Sequence, residues 1–235
     1  MDSGKKTEMR QITAIALEMT TACNLHCPQC CCRVHERPAV HYGYGYFAEL
    51  AGWIYGIDRV DLTGGEPTCH PLFAEFVPRF KALFGCRQLT LETNGFKCRE
   101  YAGVLHHFDA IRLSAYEDNI DECMWVLKNF PCGGRTYVQN GSTCVEIDAP
   151  PDERKHVSRD RRGAGGRCML GTFEFALYTD GLFWPCRLGP AVPGAVGIVP
   201  QPHWMEKVIE AEVPCAECWF SPGRSTTNVE PVRRG

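Results

Sequence analysis

The segment QITAIALEMTTACNLHCPQC, residues 11–30, joins an apolar strand to a loop with three closely spaced cysteines. Its first part, residues 11–17, is a short apolar run that is typical of a buried strand. The loop then places Cys23, Cys27 and Cys30 at C-x3-C-x2-C spacing. Soft thiolates select iron–sulfur clusters or zinc. Structural zinc sites favour paired C-x2-C knuckles with a full set of protein ligands, so the loop favours a cluster with one corner open over zinc or plain buried thiols.

A glycine turn follows the next predicted strand. Residues 58–63 predict that strand, and it runs into Gly64-Gly65-Glu66-Pro67 about 35 residues after the cysteine loop. Adjacent glycines let the backbone approach a ligand and leave N–H groups free to point at it. Functional residues at the carboxyl ends of strands are typical of barrel-type α/β enzymes. The turn is therefore a candidate ligand site.

The cysteine loop and the GGEP turn together resemble the radical S-adenosylmethionine (radical SAM) superfamily, whose C-x3-C-x2-C loop binds a [4Fe–4S] cluster with SAM on the open iron. The resemblance implies that Cys23, Cys27 and Cys30 ligate this cluster. It also implies that the amino, ribose and carboxylate groups of SAM contact Gly64, Gly65, Glu66, Thr93, Asn94 and Ser114. Apart from the resemblance, the last three are ordinary turn formers or helix caps. The sequence has Gln29 where the family usually has an aromatic residue before its third cysteine.

Strands alternate with helices over the first part of the chain. The patterns predict strands at 11–17, 58–63, 88–93, 111–114, 135–138 and 144–147, and helices at 42–55, 71–84 and 119–130. Such alternation implies βαβ units and a parallel sheet. Because about six strands are too few for a closed eight-stranded barrel, the prediction is an α/β fold with a partial (β/α)6 TIM-like barrel over residues 12–150. Residues 1–11 are predicted to be an N-terminal tail.

Residues 151–166 interrupt this pattern with a stretch rich in proline, glycine and charge. Its basic side chains outnumber its acidic ones. Such a composition predicts a linker. Two interpretations stay open, a solvated loop or a basic lid over the barrel that meets an anionic substrate or supplies a proton acceptor.

A second set of cysteines follows the linker, at Cys168, Cys186, Cys215 and Cys218. Between the first two, alternating apolar residues and an Asp-Gly turn predict a β-hairpin, and 203–211 predict a short helix. Four thiolates suit zinc or iron. The arrangement resembles the twitch domain, a shortened relative of the SPASM domain, which implies a β-hairpin-plus-helix auxiliary domain over 167–223 with a second, fully ligated [4Fe–4S] cluster. Residues 224–235 are predicted to be an irregular tail.

The composition predicts a cytoplasmic protein without membrane or nucleic-acid partners. Hydrophobic residues make up 44% of the chain, and the net charge is −3. A charge of this sign and size gives no basic footprint for nucleic acid. The sequence has no apolar run long enough for a membrane span and no signal peptide pattern at its start. The fifteen cysteines cannot all pair, so thiols reserved for metal are a better explanation than a disulfide framework.

The resemblance implies a function. Radical SAM enzymes cleave SAM reductively to a 5′-deoxyadenosyl radical, which removes a hydrogen atom from the substrate. An auxiliary cluster could then oxidise the substrate radical, as in dehydrogenases with a twitch domain. We therefore expect an oxidoreductase acting on a small polar substrate (a sugar, aminocyclitol or nucleotide-like molecule), with flavodoxin or ferredoxin as electron donor. The alternatives are an epimerase, a peptide-modifying enzyme of RiPP maturation, and a cysteine-rich zinc-binding interaction protein. The sequence identifies no catalytic base or hydrogen donor.

Overall fold

A computed structural model of the chain describes residues 12–27, 30, 32, 34–115, 117–130, 137–140, 143–146, 156–158, 175–185 and 196–211. The strands are β1 (Ala14–Thr20), β2 (Arg59–Gly64), β3 (Gln88–Thr93), β4 (Ala110–Ala115), β5 (Tyr137–Asn140), β6 (Thr143–Glu146), β7 (His156–Ser158), β8 (Phe175–Thr179) and β9 (Leu182–Trp184). The helices are α1 (Tyr44–Ile54), α2 (Phe73–Phe84), α3 (Ala102–Leu105), α4 (Ile120–Asn129) and α5 (Trp204–Glu210).

The described strands form one sheet in the order β7-β6-β5-β4-β3-β2-β1-β8-β9. Six neighbouring strands, β5-β4-β3-β2-β1-β8, pair in parallel. Strands β6, β7 and β9 are added antiparallel at the two edges. The predicted α/β class with a mostly parallel sheet is therefore confirmed.

The two faces of the sheet have different chemistry because side chains alternate along each strand. On one face, apolar residues of β1 to β4 pack with α1, α2 and α4 into a single core. Helix α2 presents Phe76, Phe80 and Phe84 to that core, and the Phe80 ring lies 5.0 Å from the ring of Phe47 in α1. The opposite face, which we call the inner face, carries the alternate residues of the same strands. Several of these are charged.

The early elements lie close to their predicted positions. Strand β3 occupies the predicted 88–93, and α2 begins two residues after the predicted start at 71. Strand β1 extends to Thr20, three residues beyond the prediction, because its last residues continue the ladder with β2. A strand that gains partners on both sides can extend past its apolar run into polar sequence.

The sixth parallel strand differs from the expectation. Residues 144–147 were predicted to be a barrel strand, but β6 pairs antiparallel with β5 as a hairpin. The sixth parallel strand is β8, which comes from the region predicted to be a separate auxiliary domain and pairs with the outer edge of β1. Part of the predicted linker, His156–Ser158, forms edge strand β7. An exposed sheet edge accepts whichever strand reaches it, and the local sequence does not specify that partner.

The helices are short. Among the described residues, none is long and apolar enough to cross a membrane.

Truncation of Phe80 tests the core beneath the sheet. The Phe80 side chain is fully buried among three other phenylalanine rings. Phe80→Ala should lower the free energy of unfolding by about 3–5 kcal/mol, through lost burial and a residual cavity. The half-exposed Met124 on α4 supplies the control, since Met124→Ala should change stability by less than about 1 kcal/mol. Urea denaturation of both variants measures the difference, and equal losses would contradict the described packing.

Candidate functional site

The carboxyl ends of four parallel strands meet at one edge of the sheet. The cysteine loop follows β1, the GGEP turn follows β2, the Thr93-Asn94-Gly95 turn follows β3, and Ser114 lies near the end of β4. Parallel strands place these ends side by side, which is where barrel-type enzymes keep their sites. The structure therefore brings together the strand-end residues that the sequence predicted.

The two glycines of the GGEP turn allow a close backbone approach to the start of the cysteine loop. Gly64 has a φ of +133°, and a Cβ atom there would lie 2.3 Å from the Thr20 carbonyl oxygen. A Cβ atom on Gly65 would lie 2.2 Å from the Ala22 carbonyl oxygen. The Gly65 N–H donates to the Thr20 carbonyl oxygen at 2.7 Å, and the Glu66 N–H donates to the Ala22 carbonyl oxygen at 2.8 Å. The prediction that these N–H groups point at a ligand is therefore wrong, because they donate to the segment at the end of β1 and just after it.

The Glu66 carboxylate joins the turns after β2 and β3. One oxygen accepts hydrogen bonds from the Thr93 hydroxyl at 2.7 Å and from the N–H and hydroxyl of Thr68. The other accepts from the Asn94 N–H at 2.7 Å. Glu66 is 1% exposed, and burial raises its pKa while these donors oppose the rise. The side chains of Glu66 and Thr93 thus hold the turns after β2 and β3 together, and their predicted contact with SAM stays a prediction.

Asn94 links the turn after β3 to the cysteine loop. Its side-chain NH2 donates to the Asn24 side-chain oxygen at 2.8 Å. Its carbonyl oxygen accepts from the buried Asn119 side chain, which also donates to the Ser114 carbonyl at 3.0 Å. The Ser114 side chain is exposed at the strand end. Asn24 and Asn119 were not singled out from the sequence, since an asparagine in a loop carries no sign of its distant partner.

The cysteine loop contains the three predicted cluster ligands. Cys23, Cys27 and Cys30 are half-buried, and the Cys30 N–H donates to the Cys27 carbonyl oxygen at 3.0 Å. Burial, with smaller contributions from Glu66, Cys27 and Cys69, raises the pKa of Cys23 to about 11. Within the described ranges, no three His, Cys, Asp or Glu side chains lie close enough together to hold a metal ion. The donor set still suits an iron–sulfur cluster, because all three groups are soft sulfur ligands.

The second cysteine set falls outside the described residues. This applies to Cys168, Cys186, Cys215 and Cys218. The hairpin β8–β9 predicted between the first two is present, and the Trp204 ring of α5 stacks on the Phe183 ring of β9 at 3.8 Å. The second cluster itself stays a prediction.

A buried ion pair ties the segment after the cysteine loop to β1 and to the β8–β9 hairpin. Glu18 of β1 is 1% exposed, and the Arg37 guanidinium donates to both of its oxygens, at 2.6 and 3.2 Å. The Thr179 hydroxyl at the end of β8 also donates to Glu18. Asp180 lies 3.7 Å from Arg37 and accepts from the Tyr42 hydroxyl at 2.5 Å. Burial raises the pKa of Glu18, and Arg37 and Thr179 partly offset this rise.

A second charged group lies deeper on the inner face. The Arg112 guanidinium of β4 donates to Asp61 of β2 at 3.1 Å and to Glu92 of β3 at 3.0 Å. Arg59 lies 3.1 Å from the same Asp61. These residues were not predicted from the sequence as site residues. A signal was present, because each is a charged residue at every second position of an otherwise apolar strand, which indicates a polar face.

Two cavities lie away from these strand ends. One of about 560 Å³ lies between the start of β1 and the end of α1, lined in part by Ile12, Trp53 and Met205. The other lies over α4 beside Trp125. Neither contains the cysteine loop or the GGEP turn, so the chemistry of the strand ends identifies the candidate site better than cavity size does.

Residues 17–127 match the profile of the radical SAM superfamily. Similar curated proteins include the GTP 3′,8-cyclases of Geobacter sulfurreducens (31% identical over 116 residues) and Synechococcus elongatus (29% identical over 123 residues). The match to the Geobacter protein covers 47% of this chain and 36% of that protein. The match to the Synechococcus protein covers 48% of this chain and 36% of that protein. The chain therefore spans only about a third of the length of these relatives.

Among solved structures, the fold is similar to that of BtrN. A complex of BtrN with AdoMet and 2-DOIA matches with a TM-score of 0.50 and 14% identity, over 86% of this chain and 83% of BtrN. BtrN in an open conformation gives a TM-score of 0.52 at 13% identity, over 87% of this chain and 82% of BtrN. At such low identity the likeness concerns the fold alone, and it supports the partial TIM-like barrel.

Replacement of Glu66 tests the link between the two turns. Glu66→Gln keeps the size of the side chain but replaces one accepting oxygen with an NH2 donor. The groups that donate to this oxygen then lose their acceptor. We expect a loss of about 1–3 kcal/mol in the free energy of unfolding. Glu75→Gln on the exposed side of α2 is the matched control and should stay within about 0.5 kcal/mol of the parent protein. A Glu66→Gln variant as stable as the control would be evidence against the carboxylate link.

Removal of Arg37 tests the buried ion pair and its pH dependence. Arg37→Met leaves Glu18 buried without its cation and should destabilise the fold by about 3–5 kcal/mol at neutral pH. The folded-state pKa of Glu18 then rises further above its unfolded value. Between the unfolded-state and folded-state pKa values of Glu18, the folded state holds a proton that the unfolded state lacks. The free energy of unfolding should therefore fall as pH rises from about 4.5, and it should level off above the folded-state pKa of Glu18.

Urea titrations between mildly acidic and neutral pH measure this effect. Glu18→Gln combined with Arg37→Met should recover part of the loss, because the unpaired charge is gone. Arg79→Met, which breaks an exposed pair on α2, should change stability by no more than about 1 kcal/mol and show no such pH trend. A penalty for Arg37→Met that shrinks as pH rises would contradict the interpretation.

Proposed function

We propose that this chain is a radical SAM oxidoreductase that oxidises a small polar substrate, because residues 17–127 match the radical SAM profile. The observation that carries the proposal is the meeting of the cysteine loop, the GGEP turn and the strand ends of β3 and β4 at one edge of the sheet. The family implies a [4Fe–4S] cluster and SAM. The oxidative outcome rests on the resemblance of the C-terminal cysteines to a twitch domain.

The proposed cluster ligands are Cys23, Cys27 and Cys30. When bound, the cluster and SAM supply a 5′-deoxyadenosyl radical that removes a hydrogen atom from the substrate. Because thiolates are the ligands, Cys23 must lose the proton that its raised pKa retains at neutral pH, so cluster binding is favoured as pH rises. Flavodoxin or ferredoxin is the proposed electron donor.

The chain's own residues position the proposed SAM site. The N–H groups of Gly65 and Glu66 are bonded to the chain after β1, so the carbonyl oxygens of the turn are the groups that would accept from the SAM amino group. Glu66 fixes this turn against the one after β3, and Asn94 fixes the latter against the cysteine loop. Such fixed groups favour catalysis because they hold cofactor and substrate in one orientation.

The proposed auxiliary cluster would be held by Cys168, Cys186, Cys215 and Cys218. Because four cysteines fill all its protein-ligand positions, this cluster has no open site for substrate, and its role would be to accept an electron from the substrate radical. The hairpin between Cys168 and Cys186 pairs directly with β1, the strand that leads into the first cysteine loop. This pairing supports a second cluster within the same fold.

A cyclase is the second candidate. Similar curated proteins include GTP 3′,8-cyclases, two of which share 31% identity with this chain over the matched region. The match stops after that region and covers about a third of those proteins. BtrN is similar in fold over most of both chains, and its complex contains AdoMet and 2-DOIA, which is the basis for proposing a small substrate here. Epimerisation and peptide modification stay as the other radical outcomes.

Iron and sulfide counts on anaerobically purified and reconstituted protein test the proposal. The parent protein should hold about eight irons, as expected for two [4Fe–4S] clusters. The triple variant Cys23→Ala/Cys27→Ala/Cys30→Ala should hold about four and form no 5′-deoxyadenosine from SAM and a reductant. Cys86→Ala is the matched control, since Cys86 is buried at the other end of the sheet, and it should keep the iron and the activity.

Each outcome decides between the candidates. About four irons together with zinc would make the C-terminal site structural and remove the support for oxidation. An absence of iron would overturn the radical SAM activity. With 2-DOIA or GTP added, a product that has lost two hydrogen atoms marks oxidation, whereas a product of unchanged mass marks epimerisation or cyclisation.

A further inference from the structure

Two adjacent threonines at the end of β1 hold together the two ends of residues 22–37, which contain the cysteine loop and which we call the loop segment. The chain returns beside β1 at residues 38–42. The Thr21 hydroxyl donates to the Pro38 carbonyl oxygen at 2.6 Å and accepts from the Val40 N–H at 2.7 Å. The Thr21 N–H donates to the Val40 carbonyl oxygen at 3.0 Å. Thr21 thus makes three hydrogen bonds to the returning chain.

Thr20 joins the same closure to the GGEP turn. Its hydroxyl donates to the Val40 carbonyl oxygen at 2.7 Å and accepts from the Ala22 N–H at 3.0 Å. The same hydroxyl oxygen lies 2.9 Å from Nδ1 of His41. The carbonyl oxygen of Thr20 accepts from the Gly65 N–H at 2.7 Å. The two ends of the loop segment and the turn after β2 therefore meet at one hydrogen-bonded junction.

The returning chain is also held by a buried histidine. The Leu72 N–H donates to Nδ1 of His70 at 3.1 Å, so Nε2 carries the proton of the neutral ring and donates to the Tyr42 carbonyl oxygen at 2.9 Å. His70 is 2% exposed and lies between the GGEP turn and α2. The second end of the loop segment is therefore fixed to the rest of the fold, and the threonine hydroxyls join the first end to it.

A segment closed in this way restricts the positions that its cysteines can take. Thr21 and Pro38 lie 17 positions apart in the chain, and the three predicted cluster ligands fall between them. Closing such a loop costs conformational entropy. When hydrogen bonds within the protein offset this cost during folding, the binding of a metal cluster does not have to offset it again. The bonds at the ends of the loop segment should therefore favour retention of a cluster.

We propose that Thr21 is a positioning residue for the cluster-binding loop, and that its hydroxyl, together with that of Thr20, helps to keep the proposed cluster bound. Each threonine acts through the ends of the loop segment and not by contact with the cluster. The assignment rests on the proposed function in one respect, which is that the three cysteines of the loop are the ligands. Because Thr20 also accepts from Gly65, the same junction should orient the cluster relative to the proposed SAM site.

Substitutions of equal shape test the role of the hydroxyl. Thr21→Val keeps the shape of the side chain, but the Pro38 carbonyl and the Val40 N–H lose this partner. Thr21→Ser keeps the hydroxyl and should rescue the function. Thr90→Val is the matched control, because Thr90 is also fully buried on the sheet while its hydroxyl has no hydrogen-bond partner among the described residues.

Iron release into a chelator is measured on anaerobically reconstituted protein, together with the EPR spectrum of the reduced protein with and without SAM. A cluster with four cysteine ligands has no free position for SAM, so a spectral change on addition of SAM reports on the cluster of the first loop. Thr21→Val should release iron about ten-fold faster than the parent protein and should weaken the spectral change. Thr21→Ser and Thr90→Val should stay within about two-fold of the parent rate.

Two results would overturn the assignment. One is a Thr21→Val protein that retains iron and responds to SAM like Thr90→Val. The other is a Thr21→Ser protein that loses iron as fast as Thr21→Val, because the hydroxyl would then not be the cause. If Thr21→Val does not fold, Thr20→Val takes its place and should act in the same direction, since it removes a second donor to the Val40 carbonyl.

Hydrogen exchange of residues 22–37 in the full chain separates this assignment from the proposed function. Exchange should be faster in Thr21→Val than in Thr90→Val, both before and after reconstitution. A parent protein that binds no iron rejects the proposed function and the effect on cluster retention, and exchange that still depends on the Thr21 hydroxyl then confirms the closure alone. Iron that all variants retain equally rejects the assignment and leaves the proposed function unaffected.

Discussion

The buried Glu66 carboxylate is the interaction on which the candidate site depends. It accepts four hydrogen bonds from two turns that lie 27 residues apart in the chain. A carboxylate with so little exposure is stable only when its oxygens are fully hydrogen-bonded. The turns after β2 and β3 therefore have one relative position. Asn94 extends this fixed position to Asn24 in the cysteine loop, so the loop is oriented by the sheet beneath it.

The two faces of the sheet carry different kinds of side chains, apolar on the helix face and partly charged on the inner face. The helix face buries aromatic and aliphatic side chains, and it supplies most of the hydrophobic stabilisation. The inner face carries Glu18, Asp61, Glu92 and Arg112 on the same strands. Buried charges destabilise a fold when they are unpaired, and they contribute little net stability when they are paired. Their pairing on this face avoids the cost of unpaired buried charges, so the sheet stays folded over its apolar core.

The hairpin β8–β9 connects the C-terminal part of the chain to the first cysteine loop. Strand β8 pairs in parallel with β1, and its last residue donates to Glu18, which also holds Arg37. Arg37 follows the cysteine loop and Glu18 precedes it. The loop is thus bracketed by one ion pair, and that pair is covered by the hairpin. This arrangement joins the hairpin between Cys168 and Cys186 to the strand and segment on either side of the first cysteine loop.

The sequence by itself determined the element types, the α/β class and the residues at the strand ends. The apolar periods of β3 and α2 and the two glycines of the GGEP turn are local signals, because a strand, a helix or a close backbone approach needs those residue types nearby. Only the tertiary structure decided that β8 completes the parallel sheet, that Glu66 binds the neighbouring turn, and that Arg112 joins Asp61 and Glu92. Each of these contacts joins residues at least 20 positions apart. Their partners are set by strand order and packing, which no local pattern encodes.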